Sequence, residues 1–400
     1  MAPRPADPPS TFLGTFFSGG FRPFFLFSAL HAAIMIALWV PWFLGFIGIP
    51  TAFSPTAWHQ HELLFGYVPA VIAGFLLTAV PNWTGRRPLS GWPLASLFGL
   101  WLAGRLAVGV SEQIGFPAAC VVAGLFLPVL AVLVLRELVA ARNVRNYKVV
   151  AVLGLLAAAQ VFFFYEFDRF GRSDASGRLA ISAIILLIGV IGGRIIPAFT
   201  GNWLKQNNPG PSPAPFSRFD LMVMVLSGAA LALWTLEPRT ELAAPAGGVL
   251  CLAAGALQFL RQLRWTPHRT LGEPLVTVLH AAFLFLPAGF LLTGAAQLMD
   301  DPGLRSAGVH AWTVGGIGTM TLAVMTRATR GHSGKPLHAP ASTVWCIYVA
   351  IIFASLARIA AAIWPQYTMQ LLPTAGLAWV VAFLSFVFLY APLLLRPRRH

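Results

Sequence analysis

Trp58-His59-Gln60-His61-Glu62 runs directly into LLFGYVPAVIAGFLLTAV at positions 63–80, so two imidazoles and a carboxylate stand against an uncharged run of membrane length. At about 1.5 Å of rise per residue, such a run nearly matches a hydrocarbon core of about 30 Å. Polar groups at that depth are tolerated mainly where they line a cavity, pair with one another or hold a ligand. Imidazole is also the commonest protein ligand for iron, copper and zinc. The stretch therefore predicts both a membrane helix and a functional site at its mouth.

The rest of the chain repeats the first half of that pattern. With 57% hydrophobic residues, 10% charged residues and a mean hydropathy of +0.74 over 400 residues, it is too apolar to keep a wettable surface. The fold class is an all-α integral membrane protein of about twelve transmembrane helices. Runs between charged or Pro/Gly-rich breaks place them near 22–47, 58–80, 92–110, 116–138, 147–167, 178–199, 219–236, 243–263, 274–298, 307–326, 341–363 and 369–395. One polytopic domain, 22–395, then lies between a tail at 1–21 and a basic tail at 396–400. The connections are too short to hold a soluble domain.

The net charge of +14 would suit nucleic acid, but its placement points elsewhere. Arg86 with Arg87, the segment 136–148, Lys205 with Arg218, and the segments 261–269, 327–335 and 396–399 fall in alternate connections. That is the positive-inside pattern of a cytoplasmic (inner) membrane protein with both termini cytoplasmic and lipid, rather than nucleic acid, as its surroundings. Residues 1–20 lack an apolar core followed by a cleavage site, so no cleavable signal is expected. Cys120, Cys251 and Cys346 lie singly in apolar spans. Without CxxC or CxxCH pairing, disulfides, thiolate zinc sites and covalently attached c-type haem are not expected.

A weak internal repeat is visible. Pro81-Asn82-Trp83-Thr84-Gly85 ends the second span, Pro197-Ala198-Phe199-Thr200-Gly201 is expected to end the sixth, and Leu322-Ala323-Val324-Met325-Thr326-Arg327 ends the tenth. Spans two, six and ten would be equivalent members of three four-helix units, about 22–140, 147–263 and 274–395. Pro, Thr and Gly also commonly end unrelated membrane helices.

The topology sorts the nine histidines by side. His59, His61 and His310 fall at the outer ends of the second and tenth spans, whereas His31 and His280 lie about 9 to 14 Å in from the cytoplasmic ends of the first and ninth. His332 sits in a cytoplasmic Gly-His-Ser-Gly-Lys loop that is ordinarily just solvated; His268, His338 and His400 carry no assignment. On a regular helix His59 and His61 point about 200° apart and cannot ligate one metal ion from the same face; they would serve two neighbouring sites. His59 shares its face with Glu62, Gly66, Pro69, Ala70 and Ala73, and His310 precedes Gly315, Gly316 and Gly318. Small residues there leave room for a flat macrocycle or a closely packed helix. A bis-imidazole haem bridging spans two and ten on the outer side follows, with Arg305 and Trp312 as partners for its propionates. A histidine at a helix end also serves simply as an interfacial residue.

Arginines form a second group. Arg194 lies one turn inside the sixth span, and Arg86, Arg327 and Arg330 come at the matching ends of the second and tenth; such a ring suits haem propionates, phosphate or carboxylate, or snorkels to anionic lipid. Arg105, well inside the third span, needs an internal acid or carbonyl partner. The segment Tyr165-Glu166-Phe167-Asp168-Arg169 reads as an interfacial cluster without chemistry.

These residues give the chain a resemblance to the NnrS family of bacterial membrane proteins. The match runs through Phe21-Arg22-Pro23-Phe24-Phe25, Trp58–Glu62 with Gly66-Tyr67, and Gly74 to Gly85. It continues through Gly193-Arg194 with Pro197, Leu279-His280, His310, the stretch Met320 to Arg327, and Gly331-His332. The resemblance implies a polytopic inner-membrane protein containing haem and copper, produced with denitrification genes and protecting cells against nitric oxide. The architecture is also similar to the main subunit of haem-copper oxidases. It departs from it in lacking adjacent histidines on span seven and acids deep in the membrane beyond Glu62, so a proton pathway for gas reduction is poorly supported.

The leading expectation is a haem-binding protein in which iron reaches nitric oxide or nitrosylated iron. His59, His61 and His310 would be outer-site ligands, and His280, alone or with His31, would form an inner site. Nitric oxide reductase or electron-transfer activity with an unnamed electron donor is the second expectation. The third is a transporter lined by Glu62, His280, Arg105 and Arg194.

Overall fold

In the computed structural model, which describes residues 11–236 and 243–397, every element is helical and no strand occurs among the described residues. His400 and the last two arginines lie outside them. The helices begin where the chain supplies a cap and a proline. Ser54, Glu273 and Asp301 each accept from backbone amides of the following turn, and Pro55, Pro274 and Pro302 occupy the first helical position, where a missing N–H costs nothing.

Among the described residues, ten helices are long and apolar enough to cross a membrane: α1 Phe21–Phe43, α2 Pro55–Thr84, α4 Phe116–Ala140, α5 Val144–Phe170, α6 Asp174–Asn207, α7 Arg218–Leu236, α8 Pro245–Leu263, α9 Pro274–Met299, α11 Ala341–Ile363 and α12 Pro365–Leu395. The third and tenth expected spans are helical too, α3 over Trp92–Gly109 and α10 over residues 302–332, but Arg105 and the polar ends of α10 make them less apolar. The chain is a multi-pass membrane-type protein.

One boundary expectation is corrected. Pro81–Gly85 does end α2, with Gly85 left-handed at φ 68° and its amide on the Pro81 carbonyl at 2.8 Å. The matching Pro197–Gly201 does not end α6, which runs on to Asn207. The difference lies downstream. Pro88 follows Gly85 by three residues and disfavours helix at Arg87, whereas the next proline after Gly201 is Pro209.

Consecutive helices pack against one another, and α12 closes the ring against α1. Inside it α2, α6 and α10 touch each other in pairs. Their C-terminal ends carry Arg86, Lys205 and Arg330, and their N-terminal ends surround the larger cavity described below. Three helices contain π-helical turns: Glu62–Tyr67 in α2, Ala311–Gly318 in α10 and Val344–Val349 in α11. The first two begin immediately after His61 and after His310. A π turn inserts a residue, changes the direction of the side chains that follow and frees backbone carbonyls. Trp101 uses one of these, donating its indole N–H to the Gly66 carbonyl at 2.9 Å.

Candidate functional site

A cavity of about 1020 Å³ opens among the N-terminal ends of α2, α6 and α10, at the top of the range usual for small-molecule and cofactor sites. Most of its wall is apolar, and His59 and His310 both line it. Residues 251 positions apart are thus brought to one space, and they lie within electrostatic reach of each other.

The two imidazoles are held differently. The His310 Nδ1 lies 2.7 Å from the Ser306 carbonyl, an acceptor only, so Nδ1 carries the proton and Nε2 keeps a free lone pair. This is the usual second-sphere arrangement of a metal-ligating histidine. His59 stacks on Trp39 with ring centroids 4.0 Å apart and 22° between planes. Its Nδ1 is buried without a partner, so any bond this ring makes runs through Nε2. Trp39 is itself fixed by its indole N–H on the Pro55 carbonyl at 3.0 Å.

His61 goes elsewhere, as the angular separation of about 200° requires. It is fully buried among Phe53, Phe65, Phe163 and Phe164. The Gln160 amide donates to its Nε2 at 3.3 Å, and its Nδ1 donates to Glu62 Oε1 at 2.9 Å. With both nitrogens occupied, it offers no lone pair to the cavity. Glu62 is the centre of a buried cluster: Arg105 Nη1 reaches Oε1 at 2.6 Å and His31 Nε2 reaches Oε2 at 3.1 Å. Arg105 thus has the internal acid that its depth demanded, and His31 belongs to this cluster. Gly66 makes it possible, because a Cβ there would sit 2.5 Å from Arg105 Nη1 and 2.9 Å from His31 Nε2.

The inner site expected from His280 and His31 is not assembled. His280 contacts Thr200 Oγ1 at 2.9 Å through Nε2, its Nδ1 is buried without a partner, and it shares no partner with His31. Nor do the inner arginines ring an open site. Arg86 pairs with Glu137 at 2.5 Å, Arg194 donates to Asn146 Oδ1 at 2.9 Å, and Arg330 donates to the Pro336 carbonyl. Arg327 lies over the Phe199 ring at 4.1 Å and, with His332, lines a separate cavity of about 270 Å³. Trp312 is corrected as a propionate partner: it is fully buried and its one N–H is spent on the Leu286 carbonyl at 3.0 Å. Arg305 does line the large cavity, while pairing with Asp300 at 3.2 Å. Glu166, read as interfacial, caps α6 by accepting from the Ala175 and Ser176 amides at 3.1 and 2.8 Å.

One residue of the cavity wall escaped the sequence reading. Arg358 on α11 lines the space beside His59 and His310 and makes no hydrogen bond or ion pair among the described residues. The signal was present, since it is the only charged residue of a 23-residue apolar span, but nothing in the sequence says which way the side chain points.

The residues fit haem b as two imidazoles, each with its Nε2 uncommitted, lining an apolar, cofactor-sized space. For copper, no group of three or more His, Cys, Asp or Glu converges among the described residues. Comparison with known proteins gives one family: a model described as NnrS protein matches residues 15–398. No curated protein matches the chain.

Proposed function

Because the chain belongs to the NnrS family, we propose that it binds haem b in the large cavity, with His59 and His310 as the imidazoles that would hold it, and serves the bacterial response to nitric oxide from the inner membrane. The observation that carries this reading is the convergence of those two rings, from α2 and α10, on one apolar space. Bound haem would supply iron able to carry an electron or take a diatomic gas. The protein's own residues do the rest. The Ser306 carbonyl fixes the His310 tautomer, Trp39 holds the His59 plane, and a mostly apolar wall surrounds both. With both imidazoles engaged in holding the group, the site would favour electron transfer or reversible gas binding over turnover. Among the described residues they belong to no group of three or more His, Cys, Asp or Glu, so copper is not part of the proposal. The basic residues at the C-terminal ends of the even-numbered helices support cytoplasmic termini.

Expression with ample haem and purification in detergent tests this directly. The wild-type protein is expected to show a Soret band with about one haem per chain, and His310→Ala is expected to lose most of it. A colourless wild-type protein would overturn the assignment.

A further inference from the structure

Arg358 lies about five residues from the C-terminal end of α11, on the stripe that also presents Ala354, Ala361 and Ala362 to the large cavity. Its guanidinium is always charged, and a charge left unpaired in an apolar span is strongly unfavourable. Snorkelling to the membrane surface is the usual escape, but this stripe lines the cavity. No protein acid takes its place. Among the charged residues of the wall, Asp301 spends Oδ1 on the Gly303 and Leu304 amides at 2.7 and 3.1 Å, and Asp174 is an exposed first-turn residue of α6. Three arginines, Arg178, Arg305 and Arg358, face these two aspartates, so the wall is cationic overall. Arg358 is also within electrostatic reach of both His59 and His310.

We propose that Arg358 is a carboxylate-binding residue: it holds an anionic carboxylate of the molecule that occupies the cavity, by the planar two-point pairing that guanidinium makes with carboxylate. The proposal rests on the haem reading, in which that carboxylate is a propionate. It makes the cavity a site with two poles, imidazole for the metal and guanidinium for the acid.

The test compares iron protoporphyrin IX with its dimethyl ester, added to the haem-depleted full-length protein in detergent. The wild-type protein is expected to bind the free acid about tenfold or more tightly than the ester. Arg358→Gln should bring free-acid affinity down to the ester's while leaving the Soret position of the bound form unchanged, and Arg358→Lys should restore part of the preference. Equal affinity of the wild-type protein for both forms, or a preference that survives in Arg358→Gln, overturns the role of Arg358 and leaves the haem reading standing. Binding of neither form by the wild-type protein overturns both. The wild-type comparison needs no variant, so a poorly folded Arg358→Gln protein does not shield the proposal.

Discussion

At the scale of single residues, the two cavity imidazoles are not equivalent. His310 has a carbonyl behind it and His59 has only a stacked indole, so His310 is the better-anchored ligand. His310→Ala should therefore cost more haem affinity than His59→Ala, which titration of both variants would resolve; equal losses would count against the asymmetry. The Glu62 cluster makes a different prediction. Removing one member of a buried ion pair leaves the other uncompensated, at about 3–5 kcal/mol, whereas removing both is far milder. Glu62→Leu should lower thermal stability in detergent sharply, and Arg105→Met in the same chain should recover much of it. A double variant no better than the worse single one would mean the pair is not what holds this region.

At the scale of elements, the residues that could be read in the sequence were those whose identity alone limits their surroundings. An apolar run of eighteen residues is helical in lipid whatever packs on it, because its backbone must satisfy itself. Arg105 in such a run demanded a partner, and Glu62 is that partner. The spacing of His59 and His61 forced them apart on any helix. Direction in space was not readable in the same way. The π turns that follow His61 and His310 have no sequence signature, and they redirect the side chains that come after them. Arg358 stood out in the sequence as a lone charge whose direction could not be read, and the second-sphere partners Ser306 and Trp39 carried no signal of their own. Gly66 belongs to this scale too. Gly66→Ala is expected to displace Arg105 or His31 and lower stability, whereas Gly99→Ala, with nothing within 4 Å of the added carbon, should be neutral or stabilise by up to about 1 kcal/mol. Thermal unfolding of the two variants side by side would show it, and similar midpoints would contradict the close fit.

At the scale of the whole molecule, a ring of helices with α2, α6 and α10 inside leaves the large cavity at one end and places Arg86, Lys205 and Arg330 at the other. Accessibility labelling of cysteines placed in a chain lacking its three native ones should find Arg86→Cys and Lys335→Cys reachable from the cytoplasm, and Arg172→Cys reachable from outside. The reverse pattern would invert the orientation proposed for the cavity. The most direct measurement concerns the metal itself: low-temperature electron paramagnetic resonance of the purified ferric protein and of its His59→Ala and His310→Ala variants. Convergence of the two rings on one iron predicts a low-spin bis-imidazole signal in the wild-type protein that gives way to high-spin iron or to haem loss in each variant. A high-spin signal in the wild-type protein, or a low-spin signal untouched by both substitutions, would contradict it.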